Sequence, residues 1–274
     1  MRRSPGPTEA FMYDHSSDPN FLAFYERESV SEETIGRFTR IRDRALELWT
    51  ERNRRSGPID VVDIGCGAGT QALLWAQLGH RVRGLDVNQP LLHVGRERAS
   101  KSGLKVEFEL GTATSLPFQT ASADVCLLPE LLEHVADWEA CVREAVRILR
   151  PGGVLYMSTT NWLCPVQDEF NLPLYSWYPP ALKRHFEKLA ATTNPGLANF
   201  ARYPAVNWFS FFQLRRYLIP MGFECLDRFD ILARQPMSAA KRFVTSAVRS
   251  SPATRFVAHV CTGGTIVWAI KRPA

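Results

Sequence analysis

No run in this sequence approaches the length of about 18 apolar residues that a membrane-spanning helix needs, so no transmembrane segment is expected. None of its six cysteines (Cys66, Cys126, Cys141, Cys164, Cys225 and Cys261) forms a Cys-x-x-Cys pair. Several lie within apolar runs, so reduced core thiols in a reducing, cytoplasmic compartment are expected. Met1–Pro7 carries two arginines but is followed by no apolar stretch, which argues against a signal peptide. There is no internal repeat and no low-complexity tract. One end also lacks acid. From Ile231 to Ala274 there is no Asp or Glu, against Arg234, Lys241, Arg242, Arg249, Arg255, Lys271 and Arg272. The chain's net charge of +5 therefore hides a basic end and a slightly acidic remainder. A basic segment can meet anionic lipid, a phosphorylated substrate or nucleic acid, or can simply be a solvated face.

The 274 residues, 45% of them hydrophobic and 22% charged, fit one large globular domain with insertions. Its centre is Val61-Val62-Asp63-Ile64-Gly65-Cys66-Gly67-Ala68-Gly69-Thr70-Gln71. An apolar β-branched run enters alternating glycines, and a helical pattern comes next. That predicts a buried parallel strand, a tight turn and a helix start, with glycines where backbone must turn or lie close to a ligand. A dinucleotide fingerprint would want glycine at position 70, which is Thr70. Asp63 is poorly placed for a pyrophosphate, which wants N–H groups. It suits a cationic ligand such as an ammonium or a sulfonium. Asp86 closes the next predicted strand, where an acid accepts hydrogen bonds from ribose hydroxyls.

These features resemble the class I S-adenosylmethionine-dependent methyltransferases. Gly111-Thr112-Ala113 before Leu116-Pro117-Phe118 resembles their adenine-edge segment, with Thr112 where an Asp often stands. Leu132-Glu133-His134-Val135, then a helix, then Leu149-Arg150-Pro151-Gly152-Gly153 resembles the segment after their fourth strand. The likeness covers about residues 58–160 and resumes at 208–229 and 264–271. It is strongest toward the ubiquinone- and menaquinone-biosynthesis and related small-molecule enzymes. It implies S-adenosyl-L-methionine as cofactor, held by Asp63, Gly65, Cys66, Gly67, Gly69, Asp86, Val87, Thr112, Ala113 and Leu128.

The expected fold is α/β: a Rossmann-like, doubly wound, mostly parallel seven-stranded sheet with N-terminal helices and an inserted cap. Residues 1–57 form the N-terminal arm and helices, with Ser29 and Glu32 as a capping box. Residues 58–274 form the methyltransferase domain. Two insertions interrupt it. In 161–212 fall 12 of the chain's 30 aromatic residues, and 161–207 is expected to cap an aromatic-lined acceptor pocket or to build its own small core. In 233–263, apolar residues at helical spacing are expected to pack on the sheet, although a basic amphipathic helix can also lie on a membrane.

His134 is the first candidate for a general base, because an imidazole titrates near neutral pH. An ordinary helix-entry histidine is the other reading. His185 and Asp168 are further candidates. Glu130, Glu133 and His134 would share one helical face and resemble the Glu-x-x-Glu-His of ubiquinone-biosynthesis O-methyltransferases, which implies magnesium-type binding. Leu-Glu-His-Val also occurs in relatives without a metal, so none is expected. The predicted activity is methyl transfer to a small or medium apolar or aromatic acceptor, at oxygen. Alternatives are an RNA-directed enzyme and a non-catalytic cofactor-binding scaffold. No nucleic-acid partner is expected.

Overall fold

The apolar run ahead of the glycines forms β1 (Asp60–Ile64), in which every residue after Asp60 is buried. It pairs in parallel with β2 (Arg81–Asp86) and with β4 (Ala123–Pro129), and β2 pairs in parallel with β3 (Val106–Leu110). With β5 (Leu149–Thr160), β6 (Phe223–Leu226) and β7 (Gly264–Lys271), the sheet has seven strands in the order β3-β2-β1-β4-β5-β7-β6. Strands buried on both faces read as continuous apolar runs, as β1 and β4 do. The computed structural model describes residues 19–167, 169–198 and 205–273. Asp168 lies outside them.

Two compact units can be delineated, one comprising Met1–Pro129, Asp137–Tyr156 and Ile270–Ala274, the other Glu130–Ala136 and Met157–Ala269. In the first, α1 (Pro19–Glu28) and α2 (Glu32–Asn53) precede β1. Ser31, not Ser29, caps α2, accepting from Thr34 N–H. Ser29 instead turns its hydroxyl to the Glu26 carbonyl. Ile41, Ala45, Leu48 and Trp49 are the buried stripe of α2. After the glycines comes α3 (Thr70–Ala76), and α4 (Gln89–Lys101) starts on the cap residue Asn88. Helix α5 (Trp138–Ile148) starts on Asp137, and β5 begins at once, taking in Pro151-Gly152-Gly153 that the sequence marks only as a helix stop.

In the second unit, residues 130–136 form no helix. Glu130 sits at φ +50 and the segment turns before Asp137. The expected helical face of Glu130, Glu133 and His134 is therefore absent. The aromatic insertion builds its own core. Phe170, Tyr175, Ala190 and Ala198 are buried, with Tyr178, Phe186 and Trp208 packed against them. Helices α6 (Pro180–Thr192), α7 (Phe211–Leu218) and α8 (Arg228–Ala233) come next, then α9 (Ala239–Arg249) and α10 (Pro252–Val260). The expectation that this last pair packs on the sheet fails for α9, which has no buried residue. In α10 only His259 is buried, stacked on Phe211 with ring centroids 5.1 Å apart.

Candidate functional site

The glycine loop stands at the carboxyl end of β1, where ligands bind in open α/β sheets. Gly65, Gly67 and Gly69 all have positive φ. Two of them are closely packed as well. A Cβ on Gly67 would lie 2.5 Å from the Tyr25 hydroxyl, and one on Gly69 2.6 Å from the Phe108 ring. The loop is held by Gly65 and Cys66 N–H groups donating to the Leu85 carbonyl at 2.8 and 3.1 Å. Thr70, which breaks the dinucleotide spacing, donates its hydroxyl to the Ser29 carbonyl at 2.7 Å. Arg98 donates to the Glu26 carbonyl, Ser29 Oγ and the Ala68 carbonyl. These bonds tie the corner between α1 and α2 to the loop.

Asp63 is fully buried, and neither carboxylate oxygen has a hydrogen-bond partner among the described residues. The Ala72 N–H relieves it only weakly, from outside hydrogen-bond geometry. Burial, reinforced by Asp86, raises its pKa to about 7. Such a carboxylate is costly unless a cation meets it. Asp86 has a different setting. Its Oδ2 accepts Gly67 N–H at 2.7 Å and its Oδ1 accepts Asn88 N–H at 2.8 Å. One of these bonds comes from the glycine loop and the other from the cap residue of α4. Sequence reading assigned Asp86 to the ribose and missed that it also shapes the loop.

Thr112 hydrogen-bonds Thr114 hydroxyl to hydroxyl at 2.9 Å. Ala113, Leu128 and Cys66 are buried, and Val87 is partly exposed. Burial raises the Cys66 thiol well above its usual pKa, which keeps it neutral. All ten of the sequence's cofactor candidates fall in the first unit. Sequence reasoning left out several neighbours. Burial, then Asp86, Cys66 and Asp63, raise the pKa of the Tyr25 phenol, keeping it a neutral donor. Gln71 is buried, and among the described residues neither of its amide atoms has a partner, nor does Asn88 Nδ2. Thr70 and Gln71 stood in the motif and could have been noticed. Tyr25 and Arg98 reach it only through tertiary packing. A separate groove of ≈ 900 Å³, lined by Asp60, His80 and Arg81, opens at the amino ends of β1 and β2, away from the loop.

His134 belongs to the second unit, in the turn after β4, and is partly exposed. Its backbone N–H donates to Leu131. Glu133 is 1% exposed and accepts the Thr159 hydroxyl at 2.7 Å. Burial first, then Glu130 and Glu169, raise its pKa well above the ordinary carboxylate range. Glu130 accepts the Ser158 hydroxyl. Among the described residues no group of three His, Cys, Asp or Glu side chains is arranged to hold a metal ion. Trp162 and Trp177 of the aromatic insertion are exposed, while Tyr175 lies inside its core.

A parallel sheet with a glycine loop after β1, a buried acid ahead of it and a second acid closing β2 is the arrangement that the resemblance to class I S-adenosylmethionine-dependent methyltransferases implies. Residues 62–157 match the family described as Methyltransferase domain. A ubiquinone biosynthesis O-methyltransferase of Rhizobium leguminosarum bv. trifolii is 33% identical over 128 residues, covering 46% of this chain and 51% of that protein. One from Cupriavidus pinatubonensis is 40% identical over 102 residues, covering 37% and 41%. The chain thus spans about half or less of the length of these curated relatives. The plantazolicin methyltransferase BpumL, solved with S-adenosylhomocysteine, shares the fold at a TM-score of 0.57 and 15% identity, covering 94% of this chain and 92% of that one. The YcgJ protein of Bacillus subtilis does so at 0.54 and 20%, covering 85% and 100%.

Proposed function

We propose that the chain transfers a methyl group from S-adenosylmethionine to an oxygen of a small or medium apolar or aromatic acceptor. The Asp63 carboxylate, buried beside the glycine loop with no hydrogen-bond partner among the described residues, carries the donor half. The O-methyltransferase relatives support oxygen as the methylated atom. When bound, the cofactor supplies a methyl group already activated on a sulfonium. The chain's own residues have to bind, orient and exclude water, which is largely proximity catalysis. Asp63 would take the ammonium, Asp86 the ribose hydroxyls, and Thr112 with the Ala113 backbone the adenine edge. The glycines let backbone approach closely, with Val87 and Leu128 as apolar walls and the Tyr25 hydroxyl as cover. His134 is the candidate base for an acceptor hydroxyl. Its replacement by Asn is expected to lower kcat by roughly tenfold or more with the cofactor affinity unchanged. Lost affinity would remove it from that role.

The direct test is calorimetry with S-adenosylhomocysteine, followed by a labelled-methyl screen of phenolic and other apolar hydroxyl acceptors. Asp86→Ala should weaken cofactor binding by roughly tenfold or more, because charge-assisted hydrogen bonds are lost and the N–H groups of Gly67 in the loop and of Asn88 at the start of α4 are left without their acceptor. Unchanged affinity in that variant would show the ribose assignment to be wrong. No binding by the native chain at millimolar S-adenosylhomocysteine would overturn the reading as a whole.

A further inference from the structure

Helix α9 is amphipathic with its apolar side facing out. At 100° per residue, Ala239, Ala240, Phe243, Val244, Ala247 and Val248 share one side, and Lys241, Arg242, Thr245, Ser246 and Arg249 the other. An amphipathic surface helix ordinarily buries its apolar stripe. Here Phe243 is 75% exposed and Val244 60%, and only Thr245 and Val248 are even partly covered. The inner side is instead fixed by polar contact, with Arg249 Nε 3.1 Å from Asp230 Oδ1. Helix α10 repeats the theme, for its buried residue is His259 while Val257 is 60% exposed. Beside them a groove of ≈ 650 Å³ has a mixed lining, with Leu232, Met237 and Val244 among its apolar residues and Gln235, Lys241 and Thr245 among its polar ones. Lys241 and Arg242 are exposed, and the sequence carries no acid after Asp230.

We propose that this face docks on an anionic phospholipid bilayer. Phe243 and Val244 enter the headgroup–acyl boundary while Lys241 and Arg242 reach the phosphates along their own aliphatic stems. Charge selects this occupant. A second copy of the chain would set two acid-free basic segments against each other. Nucleic acid would leave the aliphatic side in water, since it rewards stacking aromatics in a basic stripe. A lipid surface accepts both halves of the helix at once. The inference is independent of the methyl-transfer reading.

The test is flotation of the full chain with vesicles of phosphatidylcholine alone and of phosphatidylcholine with phosphatidylglycerol. Binding is expected to the anionic vesicles, at least about tenfold above the neutral ones, and to weaken with salt. Phe243→Ser with Val244→Ser, and separately Lys241→Ser with Arg242→Ser, should each lower it by roughly tenfold or more. The urea midpoint should stay in place, because these side chains are exposed. No flotation with anionic vesicles, equal binding to both vesicle types, or variants that bind like the native chain would overturn the proposal. So would a dimer in light scattering that the Phe243/Val244 variant abolishes, which would assign the face to a second copy.

Discussion

Asp63→Asn is expected to stabilise the cofactor-free protein while weakening cofactor binding by more than about 100-fold. Both effects come from one buried charge. A carboxyl whose pKa stands at about 7 rather than near 3.8 costs about 4 kcal/mol when ionised in the folded state. The folded chain holds this proton at pH values where the unfolded chain has released it. Native stability therefore falls as pH rises from about 4 to about 7, and this contribution is flat above that. Asn removes the fall, so the variant's advantage is near zero at pH 4 and reaches at most about 4 kcal/mol above pH 7, less what its own buried amide costs. Binding has the opposite dependence. Only the ionised carboxylate meets an ammonium, so native affinity should drop by about tenfold for each pH unit below Asp63's pKa. Urea melts of the free protein and calorimetry with S-adenosylhomocysteine, both across pH, measure the two effects. A destabilised variant, or one that binds like the native chain, would show that Asp63 is structural.

Asp227→Ala should cost about 3–5 kcal/mol of stability, the usual penalty for breaking a buried ion pair. Asp227 is fully buried and caps α8, accepting Phe229 and Asp230 N–H groups, both at 2.8 Å. The Asp230 side chain returns the bond to Asp227 N–H, completing a capping box. His259 Nε2 lies 3.1 Å from Asp227 Oδ2, and Arg255 Nε is also 3.1 Å away, an ion pair angled off a hydrogen bond. Burial pushes the carboxyl's pKa up, but the His259 hydrogen bond, the Asp230 N–H and Arg255 outweigh it and hold it below its ordinary value. The sign is therefore opposite to that of Asp63. The stabilisation is present above the ordinary carboxylate range and is lost as pH falls through the depressed pKa. Urea unfolding at neutral pH, with circular dichroism as readout, gives the loss, and a cost under about 1 kcal/mol would contradict this account.

The strands were legible where burial on both faces made their runs continuous. β1 followed from Val61, Val62 and Ile64, all of them buried. The glycine loop and Asp63 were legible because a local motif carries them. Residues 130–136 were not, because Glu130 takes a left-handed conformation that few side chains favour and that no spacing rule anticipates. Ser31 rather than Ser29 caps α2, and the Ser29 hydroxyl instead meets Arg98, which lies 69 residues away in sequence. Periodicity located the apolar stripe of α9 but not what it faces. A moment along the helix is the same whether its stripe meets a core or water. The aromatic insertion shows a similar limit. Composition announced a cluster of rings, and packing put Phe170 and Tyr175 inside the insertion's own core.

That insertion begins and ends on an asparagine, and each asparagine fastens a border. Asn161 Nδ2 donates to the carbonyls of His259 and Thr262, at 2.8 and 2.7 Å. Asn207 Nδ2 donates to those of Leu132 and Val135, at 3.0 and 2.7 Å. The backbone N–H groups of Val206 and Asn207 add two bonds to the Glu133 carbonyl. For chimera building this marks the seams of an exchangeable cassette. A foreign segment spliced between these two residues inherits both fastenings, whereas a splice that discards Asn207 also releases the turn that carries His134.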